Sequence, residues 1–364
     1  MSLIFLEGYD DQLTDGSTAN SRWSAVSTSG NAVVVASGGR RGSRGQPGYT
    51  YTVNNNATHF MRHDLTASEE HATLCFGVAM KHPAGTPSMM LVEFESDRLT
   101  TPVSHLQLVL GSAGALFVYR GSSTAVGTSG AILGSTANGV VPFDSQFHYV
   151  EFMATLSDTV GIIDVRVDGV SVLSLTNQDT KNGGTKIVFD RFTFHPGGTG
   201  PSFYDDMYLF NGAGGTNNAP VGDSNVEYLS PNADGTYSDW LGSDGNSLLN
   251  YALVAEIPGT LTGHVASAST DGQRDTYGLS NLSGISGTVR GAIAQMTFQK
   301  QDSGLRSARS LVRSAGVDAT GPDKGPVNQV LSTAFSVFEV DPATSLAFTP
   351  AAINALELGY ESRP

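Results

Sequence analysis

Two adjacent carboxylates, Asp205 and Asp206 in FYDDMYLFNG, are residues whose type could support acid–base or metal chemistry. On a strand, adjacent side chains point to opposite faces, so this pair cannot act together as a general acid and a general base. A calcium ion needs roughly six to eight oxygen ligands, and the local sequence supplies only these two carboxylates. We therefore expect a structural role for the pair, with a calcium site as the alternative. No other cofactor is expected.

Glu93 and Glu95 in VEFESD are the nearest local pair of carboxylates for glycosidic hydrolysis. That reaction needs two carboxyl groups about 5–9.5 Å apart across a groove. The pair does not belong to an E-x-D-x-x-E strand motif, and a solvated strand face is the simpler interpretation. The sequence also has no G-x-S-x-G turn that would present a nucleophilic serine. We expect no catalytic residues and a protein that is not an enzyme.

Aromatic side chains are natural platforms for sugars, because the faces of sugar rings stack on aromatic rings. Tyr237 and Trp240 lie in the polar, turn-rich segment TYSDW, where a large exposed ring would be informative. Tyr204 is a weaker candidate of the same kind. The alternative for Trp240 is that a single large ring anchors a loop. These three residues are the candidate glycan-binding residues.

The stretch VRVDGVSV, residues 165–172, shows which structural elements must position such side chains. Asp168-Gly169 is typical of a two-residue turn that joins two antiparallel strands. That turn would place Val167 opposite Val170 and Val165 opposite Val172, so the four valines would form one apolar patch against a core.

Similar strand patterns recur along the chain with turn residues between them. At least eleven occur in the first 212 residues: LIFLEGY, NAVVVAS, YTYTV, HATLCFGVAM, MMLVEFES, HLQLVLG, ALFVYRG, FHYVEFMATL, the two strands of the hairpin, KIVFDRFTFH and FYDDMYLFNG. This pattern predicts an all-β sandwich of two antiparallel sheets over residues 1–212. Residues 213–221 are rich in Gly and Asn and predict a linker. Residues 222–364 predict a smaller β-sandwich, with one short helix, PAAINALELG, capped by Thr349.

The composition excludes several classes of protein. The net charge of −14 argues against a nucleic-acid-binding protein, which needs a basic surface. The single cysteine, Cys75, excludes an internal disulfide and is expected to be buried in its strand. The first residues lack the pattern of a secretory signal, and no window approaches the roughly 18 apolar residues of a membrane helix.

Several motifs together resemble a known group of proteins. FHYVEFMATLSDTVGIIDVRVDGVSVLSL and FYDDMYLFNG resemble segments of laminin-G/concanavalin-like jelly rolls, and FLEGYDD and GGRRGSRG fit the phage-borne versions of that domain. VEYLSPNADGTYSDW, YALVAEIP, DTYGLSNLSG and DPATSLAFTPAAINALELGY are similar to the region that follows it in phage virion proteins. The resemblance implies that one aspartate of the DD pair supports loops by accepting backbone hydrogen bonds. It also allows a calcium ion at the rim of the sandwich.

The resemblance implies a bacteriophage virion structural protein, such as a tail fibre or a head, neck or tail appendage. It would be made in the host cytoplasm and released by lysis. We expect residues 222–364 to serve virion attachment or oligomerisation. The expected partners are other virion proteins, further copies of the chain and host cell-surface polysaccharide, without nucleic acid or membrane insertion. The alternatives are a stand-alone bacterial carbohydrate-binding module and, less favoured, a jelly-roll polysaccharide hydrolase or lyase. No coiled-coil heptads are visible, which favours a compact appendage over a long fibre.

Overall fold

A computed structural model of the chain describes residues 2–9, 23–27, 32–35, 39–40, 50–53, 60–82, 88–121, 123–124, 127–128, 130–196, 202–255, 263–266, 270–282, 287–300, 305–325 and 329–364. Antiparallel β-strands dominate, which confirms the predicted fold class. The chain divides into unit 1, Met1–Val226, and unit 2, Glu227–Pro364. The segment predicted as a linker, residues 213–221, belongs to unit 1. Of the run GGRRGSRG, only Gly39 and Arg40 lie within the described residues.

Unit 1 is built from strands that form two large sheets. They are β1 (Leu3–Glu7), β2 (Ala25–Ser27), β3 (Ala32–Val35), β4 (Thr50–Val53), β5 (Phe60–Asp64), β6 (Thr73–Lys81), β7 (Met89–Ser96), β8 (Val103–Leu110), β9 (Leu116–Arg120), β10 (Ser123–Thr124), β11 (Gly127–Thr128), β12 (Ala131–Ser135), β13 (His148–Thr155), β14 (Gly161–Val167), β15 (Val170–Gln178), β16 (Arg191–Phe194) and β17 (Ser202–Asn211). Sheet A has the order β15-β14-β13-β6-β17-β4-β3, with β1 also paired to β17. Sheet B has the order β12-β9-β8-β7-β16-β5-β2, and β10 pairs with β11.

The core of unit 1 lies between sheets A and B. Alternate residues of the strands point inward, so each sheet contributes one apolar face. Phe94 of sheet B stacks on Phe152 of sheet A with ring centroids 5.0 Å apart. Phe192 of sheet B lies 5.2 Å from Phe76 of sheet A. All four rings are fully buried, and the two sheets therefore form a sandwich around an aromatic layer.

The Asp-Gly hairpin forms as the sequence predicts, but its register changes after two residue pairs. Asp168 and Gly169 have φ values of 50° and 78°, as a type I′ turn requires. Val167 pairs with Val170, but a β-bulge then places Leu173 rather than Val172 opposite Val165. The predicted patch of four valines is therefore wrong in part: Val165 and Val167 are buried, whereas Val170 is 64% exposed.

The outer face of sheet A is also buried near its centre, where it carries polar groups. Tyr208 donates to Glu151 Oε1 at 2.5 Å, and the backbone N–H of Gly222 donates to the same oxygen at 2.8 Å. Tyr149 donates to the carbonyl of Asp206 at 2.8 Å. Residues 221–226 therefore lie against this face, which explains why β6 is buried on both sides.

Unit 2 is a smaller β-sandwich. Its elements are β18 (Pro231–Ser238), β19 (Leu241–Gly242), α1 (Asn250–Val254), β20 (Val265–Ala266), β21 (Arg274–Leu279), β22 (Ala292–Phe298), β23 (Ser307–Ser314), β24 (Val317–Thr320), β25 (Ser332–Phe338), α2 (Pro350–Asn354) and β26 (Glu357–Arg363). Sheet C has the order β18-β21-β26-β23-β24, while β19 pairs with β20 and β22 pairs with β25. A small core joins Val312 of sheet C to Ala294 and Phe338 of the β22–β25 pair. Among the described residues, no helix is long and apolar enough to span a membrane.

The predicted C-terminal helix is shorter than the sequence indicated. Thr349 caps α2 as expected, because its hydroxyl accepts the backbone N–H of Ala352 at 3.1 Å. The helix ends at Asn354, and the residues from Glu357 onward instead form β26, between β21 and β23. Pairing on both sides therefore overrides the helical preference of the sequence ALELG.

We expect Gly77→Ala to destabilise unit 1. The new Cβ would lie 2.3 Å from Cε1 of Tyr208, whose ring is buried and held by its bond to Glu151. Overpacking of this kind costs about 1–3 kcal/mol, measured as the free energy of unfolding in urea. Gly215→Ala is the matched control, because its Cβ would meet nothing within 4 Å, and its effect should stay within about 0.5 kcal/mol. Equal effects of the two substitutions would contradict this account.

Candidate functional site

The strand register of sheet B aligns side chains from five strands into one row on its outer face. Tyr119 of β9 pairs with Gln107 of β8, and Gln107 pairs with Glu93 of β7. Glu93 pairs with Thr193 of β16, which pairs with Arg62 of β5. These residues alternate with core residues such as Phe94, Leu106 and Phe192, so they point away from the core.

A second row lies beside the first on the same face. Ser104 pairs with Glu95, Glu95 pairs with Arg191, and Arg191 pairs with Asp64. His195 directly follows β16, and its Nε2 lies 3.4 Å from Glu93 Oε2. We call this set the polar stripe; its members are Arg62, Asp64, Glu93, Glu95, Ser104, Gln107, Tyr119, Arg191, Thr193 and His195.

Glu93 is held at the centre of the polar stripe by two side chains. Gln107 Nε2 donates to Glu93 Oε1 at 2.8 Å, and His195 Nε2 lies 3.4 Å from Glu93 Oε2. Burial alone would raise the pKa of Glu93. The hydrogen bond and charge of His195, with hydrogen bonds from Ser104 and Gln107, outweigh burial and lower that pKa below its ordinary value. Glu93 is therefore ionised at neutral pH.

Glu95, two residues further along the same face, is shifted in the opposite direction. Burial and the negative charge of Glu93 raise the pKa of Glu95, and the hydrogen bond from Thr193 Oγ1 at 2.7 Å offsets them only in part. Arg191 Nη1 lies 3.9 Å from Glu95 Oε1, while Arg191 Nε donates to Asp64 at 2.7 Å. The two carboxylates thus differ in protonation behaviour although they share one strand face.

Arg62 is the member of the polar stripe with the most unused donors. Its Nε lies 3.4 Å from Thr193 Oγ1, and its guanidinium lies over the ring of Phe60. No carboxylate of the described residues lies within ion-pair distance of it. A half-buried guanidinium of this kind presents free N–H donors to a ligand.

Asp205 and Asp206 form an anchor around Arg40 rather than a metal site. The backbone N–H of Arg40 donates to Asp205 Oδ2 at 2.8 Å, and its Nη1 lies 3.2 Å from Asp206 Oδ2. Asp206 Oδ1 accepts the backbone N–H of Val226 at 2.8 Å, as in the loop-supporting role that the resemblance implies. The guanidinium also contacts Asp223 and the carbonyl of Ser224.

The prediction that Asp205 and Asp206 face opposite sides is wrong, because the strand is irregular there. The register of β17 shifts between Asp205 and Tyr208, and Asp206 has a φ of 52°. Both aspartates therefore reach Arg40. A donor set that already surrounds a guanidinium does not fit a calcium ion, which would be repelled by its charge. Among the described residues, no group of three or more His, Cys, Asp or Glu side chains could hold a metal ion.

The three aromatic candidates do not form one platform. Tyr204 is fully buried, with its ring against Phe194 and its hydroxyl 3.4 Å from the sulfur of Met89, so we assign it to the core rather than to a glycan-binding surface. Tyr237 and Trp240 belong to unit 2, whereas Tyr204 belongs to unit 1.

Tyr237 and Trp240 are both half-buried, and each is engaged by its own neighbours. The guanidinium groups of Arg274 and Arg313 lie over the ring of Tyr237, each 5.2 Å from its centroid. Trp240 packs against Tyr360 with ring centroids 5.6 Å apart. These contacts give both rings a packing role on sheet C.

The serine–histidine pair Ser96–His105 lies outside the polar stripe and is not arranged for nucleophilic catalysis. Ser96 Oγ and His105 Nε2 are 2.7 Å apart, but both residues are fully buried. The backbone N–H of Asn182 donates to His105 Nδ1, so the ring proton lies on Nε2 and points at the serine. His105 therefore cannot accept the serine proton.

No protein-family model matches the sequence, and the search of curated proteins gives no match. Among solved structures, the endo-1,3-β-glucanase from Streptomyces sioyaensis matches at 14% identity and a TM-score of 0.36, covering 57% of this chain and 95% of that one. The binding domain of Paraclostridial mosquitocidal protein 1 matches at 11% identity and a TM-score of 0.35, and the match covers 57% of this chain and 48% of that one. Domain 4 of the arabinanase AbnA from Geobacillus stearothermophilus, in complex with arabinotriose, matches at 14% identity and a TM-score of 0.30. The match covers 57% of this chain and 81% of that one. At such identities and TM-scores, these likenesses carry no argument about activity.

We expect Glu93→Gln to lower the free energy of unfolding at pH 7, and Glu95→Gln not to lower it. Glu93, with a lowered pKa, stabilises the fold above its ordinary value of 4.5 and loses that contribution as the pH falls. Glu95, with a raised pKa, costs stability as the pH rises through its folded pKa. Glu93→Gln should therefore lower the free energy of unfolding by about 1–2 kcal/mol. Glu95→Gln should leave it unchanged or raise it by up to about 1 kcal/mol.

Urea denaturation of both variants at pH 7 and pH 4 measures these effects, and the difference between them should shrink at the lower pH. Destabilisation of equal size by both substitutions would show that the two carboxylates have equivalent surroundings.

Proposed function

We propose that the chain is a non-catalytic, glycan-binding structural protein of a bacteriophage virion, and that the polar stripe of unit 1 is its binding surface. The observation that carries the proposal is the row from Tyr119 to Arg62 across five neighbouring strands, which four inter-strand gaps of about 4.8 Å make about 19 Å long. Gln107 and Thr193 are fully buried in this row and hold their neighbours in place. A ligand would meet the partly exposed members of the polar stripe, which are Arg62, Asp64, Glu93, Arg191 and His195. The virion assignment is supported by the motif resemblance alone.

The chemistry of the row suits a sugar. Hydroxyl groups of sugars both donate and accept hydrogen bonds, and the polar stripe offers the guanidinium donors of Arg62 beside the partly exposed carboxylate of Asp64. At one end, Tyr119 and Phe117 lie with ring centroids 6.4 Å apart, and the neighbouring Ile132 is 56% exposed. A few fixed polar groups beside an apolar surface are typical of ligand sites that recognise orientation.

The contacts of the two glutamates favour binding over bond cleavage. Both oxygens of Glu93 have protein partners, Gln107 and His195. Glu95 is 6% exposed, and Thr193 donates to one of its oxygens. A general acid or a nucleophile must reach the reacting atom of the substrate, whereas these carboxylates are directed at neighbouring side chains.

Glycoside hydrolysis is the second candidate function, because one observation favours it. Glu93 and Glu95 lie on one strand face with their Cα atoms about 6.8 Å apart by strand rise, and their pKa values are shifted in opposite directions. Two carboxyl groups whose surroundings move their pKa values apart are the arrangement that glycosidases use.

We expect Arg62→Ala and His195→Ala to weaken glycan binding. Surface plasmon resonance against a panel of purified bacterial capsular polysaccharides and lipopolysaccharides would measure it. Loss of a hydrogen bond to a charged group costs about 1.5–3 kcal/mol, so each variant should bind at least about tenfold more weakly. Arg306→Ala, which removes a surface arginine of unit 2 paired with Asp271, is the control. Wild-type affinity in both stripe variants, or no binding to any member of the panel, would refute the proposed surface.

Size-exclusion chromatography of the same polysaccharides after incubation separates the two functions. Unchanged chain lengths are expected. Shortened chains that persist with the control variant and disappear with Glu93→Gln and Glu95→Gln would instead establish hydrolysis.

Immunoelectron microscopy tests whether the chain is part of the virion. Antibodies against the chain should label purified particles of the phage that encodes it, seen by electron microscopy at a defined position on each particle. Labelling confined to debris of the lysed cells would contradict a structural role in the virion.

A further inference from the structure

Asp275 of β21 is a fully buried carboxylate that forms no ion pair with any described residue. Burial raises the pKa of Asp275 above its ordinary value, and the negative charge of Asp234 raises it further. A buried carboxylate is stable when it is paired with a positive charge, coordinates a cation or takes up a proton. No cationic side chain of the described residues pairs with Asp275. Its carboxylate therefore either coordinates a cation or takes up a proton.

One oxygen of this carboxylate and one oxygen of a neighbouring amide are buried without a hydrogen-bond partner. They are Asp275 Oδ1 and Asn250 Oδ1, and Asn250 is 1% exposed. The two side chains are directly linked, because Asn250 Nδ2 donates to Asp275 Oδ2 at 2.8 Å and to the carbonyl of Trp240 at 3.1 Å. Tyr277 donates to Asp275 Oδ2 at 2.6 Å. The unpartnered oxygens are therefore fixed in place, and buried oxygens without partners need a water or an ion.

Gly242 lies where an amide oxygen and a carboxylate oxygen come near each other. A Cβ on this glycine would lie 3.0 Å from Asn250 Oδ1, 2.6 Å from Asp244 Oδ1 and 2.6 Å from Leu253 Cδ1. The amide oxygen of Asn250 and the carboxylate oxygen of Asp244 therefore both lie against Gly242, beside a leucine methyl group. Any larger residue at 242 would displace them.

We propose that the loop of residues 239–250, together with Asp275, binds a calcium ion through Asp275 Oδ1, Asn250 Oδ1 and Asp244. Carboxylate and amide oxygens are the ligands that calcium prefers, and water completes its coordination. The ion supplies the positive charge that Asp275 lacks. The buried indole N–H of Trp240 has no partner either, and it can donate to a water ligand of the ion.

The comparison with unit 1 supports this assignment. There, Asp205 and Asp206 surround the guanidinium of Arg40, which neutralises them. In unit 2, the carboxylates of Asp244 and Asp275 have no ion-pair partner among the described residues. Buried carboxylates need a positive charge nearby. In unit 1 an arginine side chain supplies it, and in unit 2 the proposed ion does.

Terbium luminescence tests the proposal, because terbium replaces calcium and is excited through a nearby tryptophan. Excitation of tryptophan in the full chain should give saturable terbium emission that calcium displaces. Asp275→Asn should weaken binding at least about tenfold, since even residues that only support a metal ligand cost that much. Trp240→Phe should lose the emission while calorimetry still detects calcium. Asp158→Asn, which alters an exposed carboxylate of unit 1, is the matched control and should behave like the wild-type chain.

Asn250→Ala provides a second test, because it removes an oxygen that is proposed as a ligand. Calcium binding should weaken, and calcium should raise the melting temperature of this variant less than that of the wild-type chain. The proposal is overturned by a wild-type chain without saturable emission, or by Asp275→Asn binding as the wild type does while circular dichroism shows it folded. An unchanged melting temperature with calcium and with a chelator would show that Asp275 is protonated instead.

Discussion

The aromatic layer between sheets A and B determines which side chains of β7 and β13 point outward. Phe94 and Phe152 stack nearly parallel, at 16°, so β7 and β13 present one fixed face to each other. Because side chains alternate along a strand, the residues on either side of Phe94 must point outward. A shift of one residue in β7 would move Glu93 and Glu95 into the core, where two carboxylates could not be neutralised. The core thus fixes the register of the polar stripe.

Local features of the fold could be predicted from the sequence, and features that depend on pairing could not. Asp168-Gly169 specifies its turn through backbone angles that other residues avoid, and Thr349 caps α2 through its own hydroxyl. The bulge after Val165 and the strand at Glu357–Arg363 depend on neighbouring strands that are far away in the sequence. The positive φ of Asp206 is of the same kind, since Tyr149 and Arg40 hold it from two other segments.

The candidate site shows the same division. Glu93 and Glu95 could be recognised as a pair because two residues along a strand return to the same face. Arg62, Gln107 and His195 carried no such signal, because only the pairing of β5, β7, β8 and β16 brings them to Glu93. Tyr204 is an aromatic candidate by residue type alone, whereas the structure buries it because β17 is buried on both faces.

The composition of the polar stripe has a consequence for how tightly it can bind. Its partly exposed groups, such as Arg62 and Asp64, are hydrated in the free protein. Each hydrogen bond to a sugar would replace one to water, so the net gain for each contact is small. Little of its aromatic surface is exposed, since Tyr119 is 9% exposed. A single site of this kind is expected to bind weakly. Firm attachment then requires several copies that act together, because linked sites gain affinity without any new contact. The proposed particle, which would carry many copies of one chain, would meet this requirement directly.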